Sequence, residues 1–378
     1  MNAGKRPLRV AVLNRVFSPT GGGAERYSIA LVEQLAQRHE IHVFAQKIEH
    51  QWPGVTYHRV SSPFTKPRWI NQLWFATATW WATRRGFDVV HSHENTWHGR
   101  VQTVHVLPVK DKLFTGRTGW RWLLRCLKVL CSPRLLVYLG LERLRFSIRD
   151  GRCIVVTSTS LMARMATAYP ATRHALRVLT PGITAVAGLA GAARQAGARA
   201  QLGLPAGGQG ILFVANDYRR KGLDTLLQAL ALLPGDNWLA VAGGGAQIRE
   251  YSALAKTAGV AGRVVFLGPL KDLAEAYMAA DCLAHPTLED TFAMVVLEAM
   301  AHGLPVLVSA ERYCGISALL EHGRNALILQ QPRDAAALAQ GLKRVLQDPA
   351  LHRSLSAAAL LFAALHRWPA IAAQQEAI

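Results

Sequence analysis

The stretch Cys282-Leu-Ala-His285-Pro-Thr-Leu-Glu289-Asp290-Thr-Phe-Ala-Met-Val-Val-Leu-Glu298-Ala-Met-Ala-His-Gly303-Leu-Pro305-Val-Leu-Val-Ser309 decides the architecture. Its opening run, Cys282 to Ala284, is short and apolar and is closed by Pro286, as befits a buried strand. A polar turn leads into an apolar helical segment that carries Glu298. That segment stops at Gly303-Leu-Pro305, where glycine ends a helix and proline cannot continue one. Pro305–Ser309 is again short, with two β-branched valines. Strand, helix and strand in direct succession predict a βαβ unit and hence a parallel sheet.

The same alternation extends in both directions. Leu8–Leu13, Ile41–Ala45, Val89–Val90 with its flanks and Cys153–Thr157 read as strands before an interval rich in Ala and Gly, 180–210. Ile211–Ala215, Leu239–Ala242 and Val264–Leu267 read as strands after it. The interval has few bulky side chains and reads as a linker with the first helix of a second domain. At about 150 residues per domain, a chain of 378 residues is expected to fold as two α/β domains in tandem. No repeat of fixed period suggests a solenoid.

Composition narrows the function classes. Half of the chain is apolar (51 %) and 18 % is charged, which excludes a disordered polyelectrolyte. Lys and Arg number 43 against 24 Asp and Glu, a net charge of +19. That excess calls for a polyanionic partner: nucleic acid, an anionic membrane or a phosphate-rich substrate. Five cysteines with no CxxC pair argue against a disulfide framework or zinc knuckle and fit a reducing cytosol. The start, MNAGKRPLRVAVLN, reads as a first strand rather than a signal peptide. Two long uncharged windows, 69–83 and 178–193, contain polar residues or Pro181 and glycines. Neither reaches the roughly 18–20 apolar residues of a bilayer span, so the protein is expected to be soluble or to lie on a membrane without crossing it.

Three loops carry residues suited to anions. Pro19-Thr-Gly-Gly-Gly-Ala-Glu25-Arg26 follows the first strand and opens a helix at Ala24. Its glycines let backbone N–H groups approach an anion at a positive helix end, although a structural turn has the same composition. It is not the GxGxxG dinucleotide fingerprint. Asn216-Asp217-Tyr218-Arg219-Arg220-Lys221-Gly222 sets three consecutive cations after a strand, at the edge where open α/β sheets bind ligands. Arginine offers phosphate a planar fork and lysine a point charge, so the loop reads as a diphosphate clamp; a solvated basic loop is the alternative. In the opening stretch, Glu298 among Val, Leu and Met needs hydrogen-bond donors, and ribose hydroxyls are suited to it. The N–H groups at that helix start suit a phosphate. His91, His93 and His98 cluster, but spacings of two and five fall short of a zinc signature. His93 reads as a strand-end residue lining an acceptor cleft, or as a structural histidine.

In order, GGGAE, VVHSH, TVH, PGI, RRKG, VVFLG and Asp290-x7-Glu298-AMAHGLPV resemble the retaining glycosyltransferases of family four over nearly the whole chain. The NDYRRKG and TPGI forms are most similar to lipopolysaccharide-core hexosyltransferases of the glucosyltransferase I type. The resemblance implies a GT-B fold, two Rossmann-like parallel-sheet domains facing each other across a cleft. It implies an acceptor-binding domain over 1–184, a nucleotide-sugar-binding domain over 185–364 and a closing helix over 365–378 that returns to the first domain. Gly22 and Gly23 would border the donor diphosphate and the acceptor, with Glu25 and His93 on the acceptor side. His105 would stand near the transferred sugar, while Arg220 and Lys221 would hold the diphosphate and stabilise the leaving group. Glu298 would bind the nucleotide ribose and Asp290 would lie beside the donor sugar. Backbone amides of Phe292, Ala293, Met294 and Val295 would contact sugar and phosphate.

The sequence departs from that pattern in places. Asp290 is one methylene shorter than the usual Glu, the usual EGFG loop reads Asp-Thr-Phe-Ala, and Asn216 stands where many relatives have Arg. Glu289 is an alternative carboxylate if the loop is re-registered. No DxD motif occurs, so neither a metal nor another cofactor is expected. Arg220 and Lys221 would stabilise the charge that builds on the departing diphosphate. No carboxylate pair marks a covalent intermediate, and the resemblance implies front-face retention.

The charge excess is local. Residues 110–152 hold eleven cations against three carboxylates, +8 of the total +19. Arg117, Arg121, Arg125 and Lys128 recur on one helical face, opposite Trp120, Leu123, Leu124, Leu127 and Leu130. That is the pattern of an interfacial membrane helix, or of a surface helix packed on its own domain. Trp69–Trp81, with four tryptophans, adds apolar contact area or belongs to the core. The expected function is hexose transfer from a nucleotide-diphosphate sugar to a lipid-linked or lipopolysaccharide-core-type saccharide. It is expected in the cytoplasm, peripheral on the inner face of the cytoplasmic membrane, with no nucleic-acid partner. A GT-B nucleotide-sugar epimerase or phosphorylase, or a polyanion binder without transferase activity, is the alternative.

Overall fold

Each of the two large sheets winds outward from its first strand. The computed structural model describes residues 6–19, 22–64, 66–148, 151–184, 186 and 191–378. Thr20 and Gly21 of the glycine loop, Arg149 and Asp150 of the basic segment, and part of the Ala/Gly-rich interval lie outside the described residues. The chain divides into two units, Met1–Gly182 with Trp368–Ile378, and Ile183–Arg367.

In the first unit seven strands lie in the order Val55–Arg59, Glu40–Ala45, Arg9–Leu13, Val89–Ser92, Val101–Val104, Cys153–Val156 and Leu176–Val178. All pairs are parallel. The winding direction reverses between Arg9–Leu13 and Val89–Ser92, and a crevice opens beyond the carboxyl ends of such strands. The second unit repeats the plan with Val264–Gly268, Asn237–Ala242, Gln209–Val214, Cys282–His285, Val306–Ser309 and Leu327–Leu329. Its reversal falls between Gln209–Val214 and Cys282–His285. The opening stretch of the sequence therefore forms the strand at the second switch point, the helix Met294–Ala301 and the neighbouring strand.

These strands read as unbroken apolar runs because helices cover both faces of a parallel sheet. Successive side chains point to opposite faces. Leu212, Val214, Ala240 and Leu283 pack with Val296, Leu297 and Met300. Ile211, Phe213, Leu239, Val241, Cys282 and Ala284 pack on the other face with Leu226, Leu230 and Leu342. Each large apolar side chain so buried contributes about 1.5–3 kcal/mol. Six of the described strands are absent from the sequence reading: Val55–Arg59, Val101–Val104, Leu176–Val178 and Leu327–Leu329 in the two large sheets, and Val16–Phe17 and Lys47–Ile48, which pair with each other.

The helix Trp368–Glu376 completes the first unit. Trp368 is buried against Tyr27, with ring centroids 5.3 Å apart. It also fills the notch left by Gly182, where a Cβ would come within 2.8 Å of the indole. Arg38 pairs with Glu376 at 2.8 Å.

The basic segment forms the helices Gly119–Leu130 and Pro133–Arg145, with Arg117 just ahead of the first. Two of its cations face inward and are lost to any surface role. Arg145 is buried, donating to Gln102 Oε1 and the Thr103 carbonyl, and Arg152 is buried among the carbonyls of Trp97, Leu144, Arg145 and Ser147. A guanidinium can be buried only where such acceptors meet its fork. Among the described residues no helix is long and apolar enough to cross a membrane.

Candidate active site

At the switch point of the second sheet, two loops leave adjacent strands and meet. The first, Asn216–Gly222, is pinned by Tyr218. Its buried ring packs edge-on to Tyr251, its hydroxyl donates to the Gly243 carbonyl, and its N–H donates to Gln247 Oε1 at 2.8 Å. The loop ends at Gly222, φ +82°, where a Cβ would run into the carbonyl oxygen of Pro286. Glycine is needed for this contact, which brings the basic loop against the turn after His285. Leu288 N–H donates to the Arg220 carbonyl at 2.9 Å and joins the two loops.

The three cations then diverge. Arg219 points outward and pairs with Glu250 at 2.8 Å, so it does not belong to the clamp expected from three consecutive charges. Arg220 is half exposed, 3.7 Å from Asp217 and 3.8 Å from Glu289. Lys221 turns inward, where its ammonium donates to the Glu289 carbonyl at 2.9 Å and to the Asp290 carboxylate. Two of the three ammonium hydrogens are thus engaged, and one remains for a ligand.

Asp290 is the centre of the turn. One carboxylate oxygen meets Lys221 and, at 3.2 Å, His285 Nε2; the other accepts the N–H groups of Phe292 at 3.2 Å and Ala293 at 2.8 Å. Burial disfavours its charge, but Lys221, His285 and these hydrogen bonds outweigh burial and hold the carboxyl below the usual range. Burial, chiefly, pushes the fully buried His285 imidazole below its ordinary value, against the opposing pull of Asp290. The sequence assigns His285 no role; its place as the last residue of the switch-point strand is the signal for one. The amides of Phe292 and Ala293, expected to contact a ligand, are taken by Asp290. Those left at the helix start are Met294 and Val295, within the first turn, where N–H groups lack intrahelical acceptors. Between them and the Asp290 turn, Ala293 adopts φ +73°.

Glu298 lies one turn along the same helix, buried, and accepts the Tyr277 hydroxyl at 2.8 Å. Tyr277, absent from the sequence reading, in turn stacks on His302 with centroids 4.9 Å apart. The arrangement places a basic side chain, a lysine and free helix-end amides around a carboxylate-organised turn. That suits a diphosphate, with a buried carboxylate one turn away for hydroxyls.

The first unit presents its own group at its switch point. Gly22 caps the helix Gly23–Leu35, and Glu25 folds back so that a Cβ on Gly22 would lie 3.1 Å from its carboxylate. His93 and His105 follow adjacent strands, stack at 5.2 Å and share a 2.9 Å hydrogen bond between His93 Nδ1 and His105 Nε2. Tyr27 lies edge-on to His105 at 5.0 Å. Burial, with Arg145 and His91 adding, pushes His105 down to about 3, and His93 is also held well below 6.5. Both are neutral near pH 7, so they can offer hydrogen bonds but no charge.

Two family models match the chain back to back. The one described as Glycosyltransferase Family 4 matches residues 21–185, and that for Glycosyl transferases group 1 matches residues 195–361. The lipopolysaccharide glucosyltransferase WaaG of Escherichia coli (strain K12) is 34 % identical over 143 residues, 37 % of this chain and 38 % of that protein. A D-inositol 3-phosphate glycosyltransferase of Corynebacterium diphtheriae is 29 % identical over 222 residues, 56 % of this chain and 51 % of that one. The matches therefore span about two-fifths to half of these curated relatives. A crystal structure of WaaG, a glycosyltransferase involved in lipopolysaccharide biosynthesis, matches over 97 % of this chain and 98 % of that one. Its TM-score is 0.82 at 22 % identity. With one family model on each parallel-sheet unit and this fold matched along the whole chain, the protein belongs to the group 1 glycosyltransferases of GT-B architecture.

Proposed function

We propose that the protein transfers a hexose, with retention and without a metal, from a nucleotide-diphosphate sugar to a lipid-linked or lipopolysaccharide-core-type saccharide. The observation that carries this reading is the Lys221–Asp290–His285 cluster beside the start of the helix Met294–Ala301, at a sheet switch point. Arg220, Lys221 and the Met294 and Val295 amides hold the diphosphate and stabilise its charge as the sugar departs. Glu298 accepts from the ribose hydroxyls, and Tyr277 fixes its carboxylate. Asp290 positions Lys221, leaving Glu289, at the rim beside Arg220, as the carboxylate nearer solvent. In the first unit Gly22, Gly23, Glu25, His93 and His105 serve the acceptor and the transferred sugar.

The reaction is placed at the cytosolic face of the cytoplasmic membrane. Support comes from the helix Gly119–Leu130, in which Trp120, Leu123, Leu124, Leu127 and Leu130 are exposed and Val129 is buried. Arg117, Arg121, Leu124, Arg125 and Lys128 line an open cavity of about 310 Å³ on its basic side, suited to anionic headgroups.

Incubation with nucleotide sugars and saccharide acceptors tests the clamp. Arg220→Ala, at a half-exposed side chain with weak pairing, is expected to lower kcat about 10²–10³-fold while thermal stability holds. Lys221→Ala should lower it at least as much, with some stability lost because the buried Asp290 carboxylate loses its cation. Unchanged turnover in both variants would remove the assignment. Offering inositol phosphate beside a lipid-linked saccharide decides the acceptor class.

A further inference from the structure

The helix Arg68–Thr83 is inside out. Its buried face carries Asn71, Gln72, Phe75, Ala76, Thr79 and Thr83, four of them polar. Those polar groups are satisfied locally: Gln72 donates to the Asn95 carbonyl at 3.0 Å, and Asn71 accepts the Phe64 N–H at 3.3 Å. Thr79 and Thr83 donate to carbonyls one turn back. The outer face carries Leu73, Trp74, Trp80 and Trp81, between 38 and 61 % exposed. At about 100° per residue they fall on one stripe roughly 120° wide. The sequence left open whether these tryptophans were core; three of the four are not.

The surroundings identify what covers the stripe. Lys66, Arg68, Arg84 and Arg85 flank it, and the carboxylate beside it, Asp88, is already paired with Arg6 at 2.7 Å. Two copies of the chain pressed together here would oppose eight cations, whereas an anionic lipid surface neutralises them. The Arg84 guanidinium lies 3.9 Å over the Trp81 ring, which keeps a charge in water while the ring faces an apolar layer. Tryptophan favours the headgroup level of bilayers, where its amphipathic ring is half wet. The helix Pro133–Arg145 packs against both this helix and Gly119–Leu130, so the exposed tryptophans and the basic helix belong to one connected layer of the first unit.

We propose that the helix Arg68–Thr83 is a second membrane-contact element, with Trp74, Trp80 and Trp81 seated in the headgroup layer of an anionic bilayer. Two contacts on separate helices fix the rotation of the first unit on the surface, which one helix alone leaves open. This rests on the membrane part of the proposed function and is independent of the donor site.

The test uses the whole protein with vesicles of phosphatidylglycerol and phosphatidylethanolamine, and of phosphatidylcholine alone. Brominated acyl chains in the anionic vesicles should quench wild-type tryptophan fluorescence. The triple variant Trp74→Gln, Trp80→Gln, Trp81→Gln should bind at least tenfold more weakly yet keep its salt dependence, and the single variant Trp81→Gln should fall between. Circular dichroism and turnover on a soluble acceptor, unchanged in both, show that the fold and donor site are intact. Wild-type affinity in the triple variant, or a dimer lost on removing the tryptophans, would overturn the proposal while leaving the basic helix as membrane contact. Wild-type indifference to anionic vesicles would remove the membrane placement altogether, with transfer to a soluble acceptor still standing.

Discussion

Ala293 holds a left-handed backbone that glycine adopts freely, between the Asp290 turn and the helix that starts at Met294. An L-residue there costs about 1–2 kcal/mol, and glycine returns roughly 0.4–1 kcal/mol of that through the entropy of the unfolded chain. Ala293→Gly is therefore expected to stabilise the second unit by about half to one kcal/mol, a rise of a few degrees in its unfolding midpoint. A drop in the midpoint would mean that the Cβ packing outweighs the strain. The position shows how a departure from the family's EGFG pattern can be absorbed. The turn keeps the glycine conformation and Asp290 locks it by accepting the Phe292 and Ala293 amides. The family resemblance implies a place beside the sugar for Asp290; the geometry makes it the keystone of the turn, because a shorter carboxylate reaches backbone N–H groups two and three residues ahead.

Elements with a strong pattern were legible, and those with a mixed one were not. The strands Arg9–Leu13, Gln209–Val214 and Cys282–His285 are unbroken apolar runs, which only burial on both faces explains. Val55–Arg59 (VTYHR) and Val101–Val104 (VQTV) escaped the reading because edge position and polar partners replace apolar burial there. Gln102, for example, is buried as the acceptor for Arg145. The inverted helix Arg68–Thr83 was illegible for the converse reason, since local hydrogen bonds let polar side chains face inward. At Gly119–Leu130 the periodicity was plain, and the open matter was what covers the apolar face. Replacing Arg121, Arg125 and Lys128 by Gln removes about 1 kcal/mol per cation at an anionic surface. Vesicle flotation should then show binding about a hundredfold weaker at low salt, and equal binding would assign that face to another role.

The whole molecule is two parallel-sheet units, one of which is discontinuous in sequence. Trp368 is the residue on which that discontinuity turns, since it fills the Gly182 notch and packs on Tyr27, which in turn faces His105. Truncation after Arg367 should lower the stability of the first unit by several kcal/mol, as losing a buried tryptophan alone costs about 3–5. The second unit should keep its own unfolding transition; loss of both transitions together would show that the units fold as one. The switch-point rule, known from strand order alone, located both groups of candidate residues, whereas the pairings inside them, Lys221 with Asp290 and His93 with His105, needed coordinates.

The discontinuity also bears on how the protein is made. A ribosome finishes residues 1–182 early, yet the helix that closes this unit emerges after every residue of the other. Until that helix emerges, the first unit waits with Tyr27 and the Gly182 notch uncovered, although both are made long before it. The histidine pair, which Tyr27 faces, therefore gains its last supporting ring only after residues 183–367 have been made.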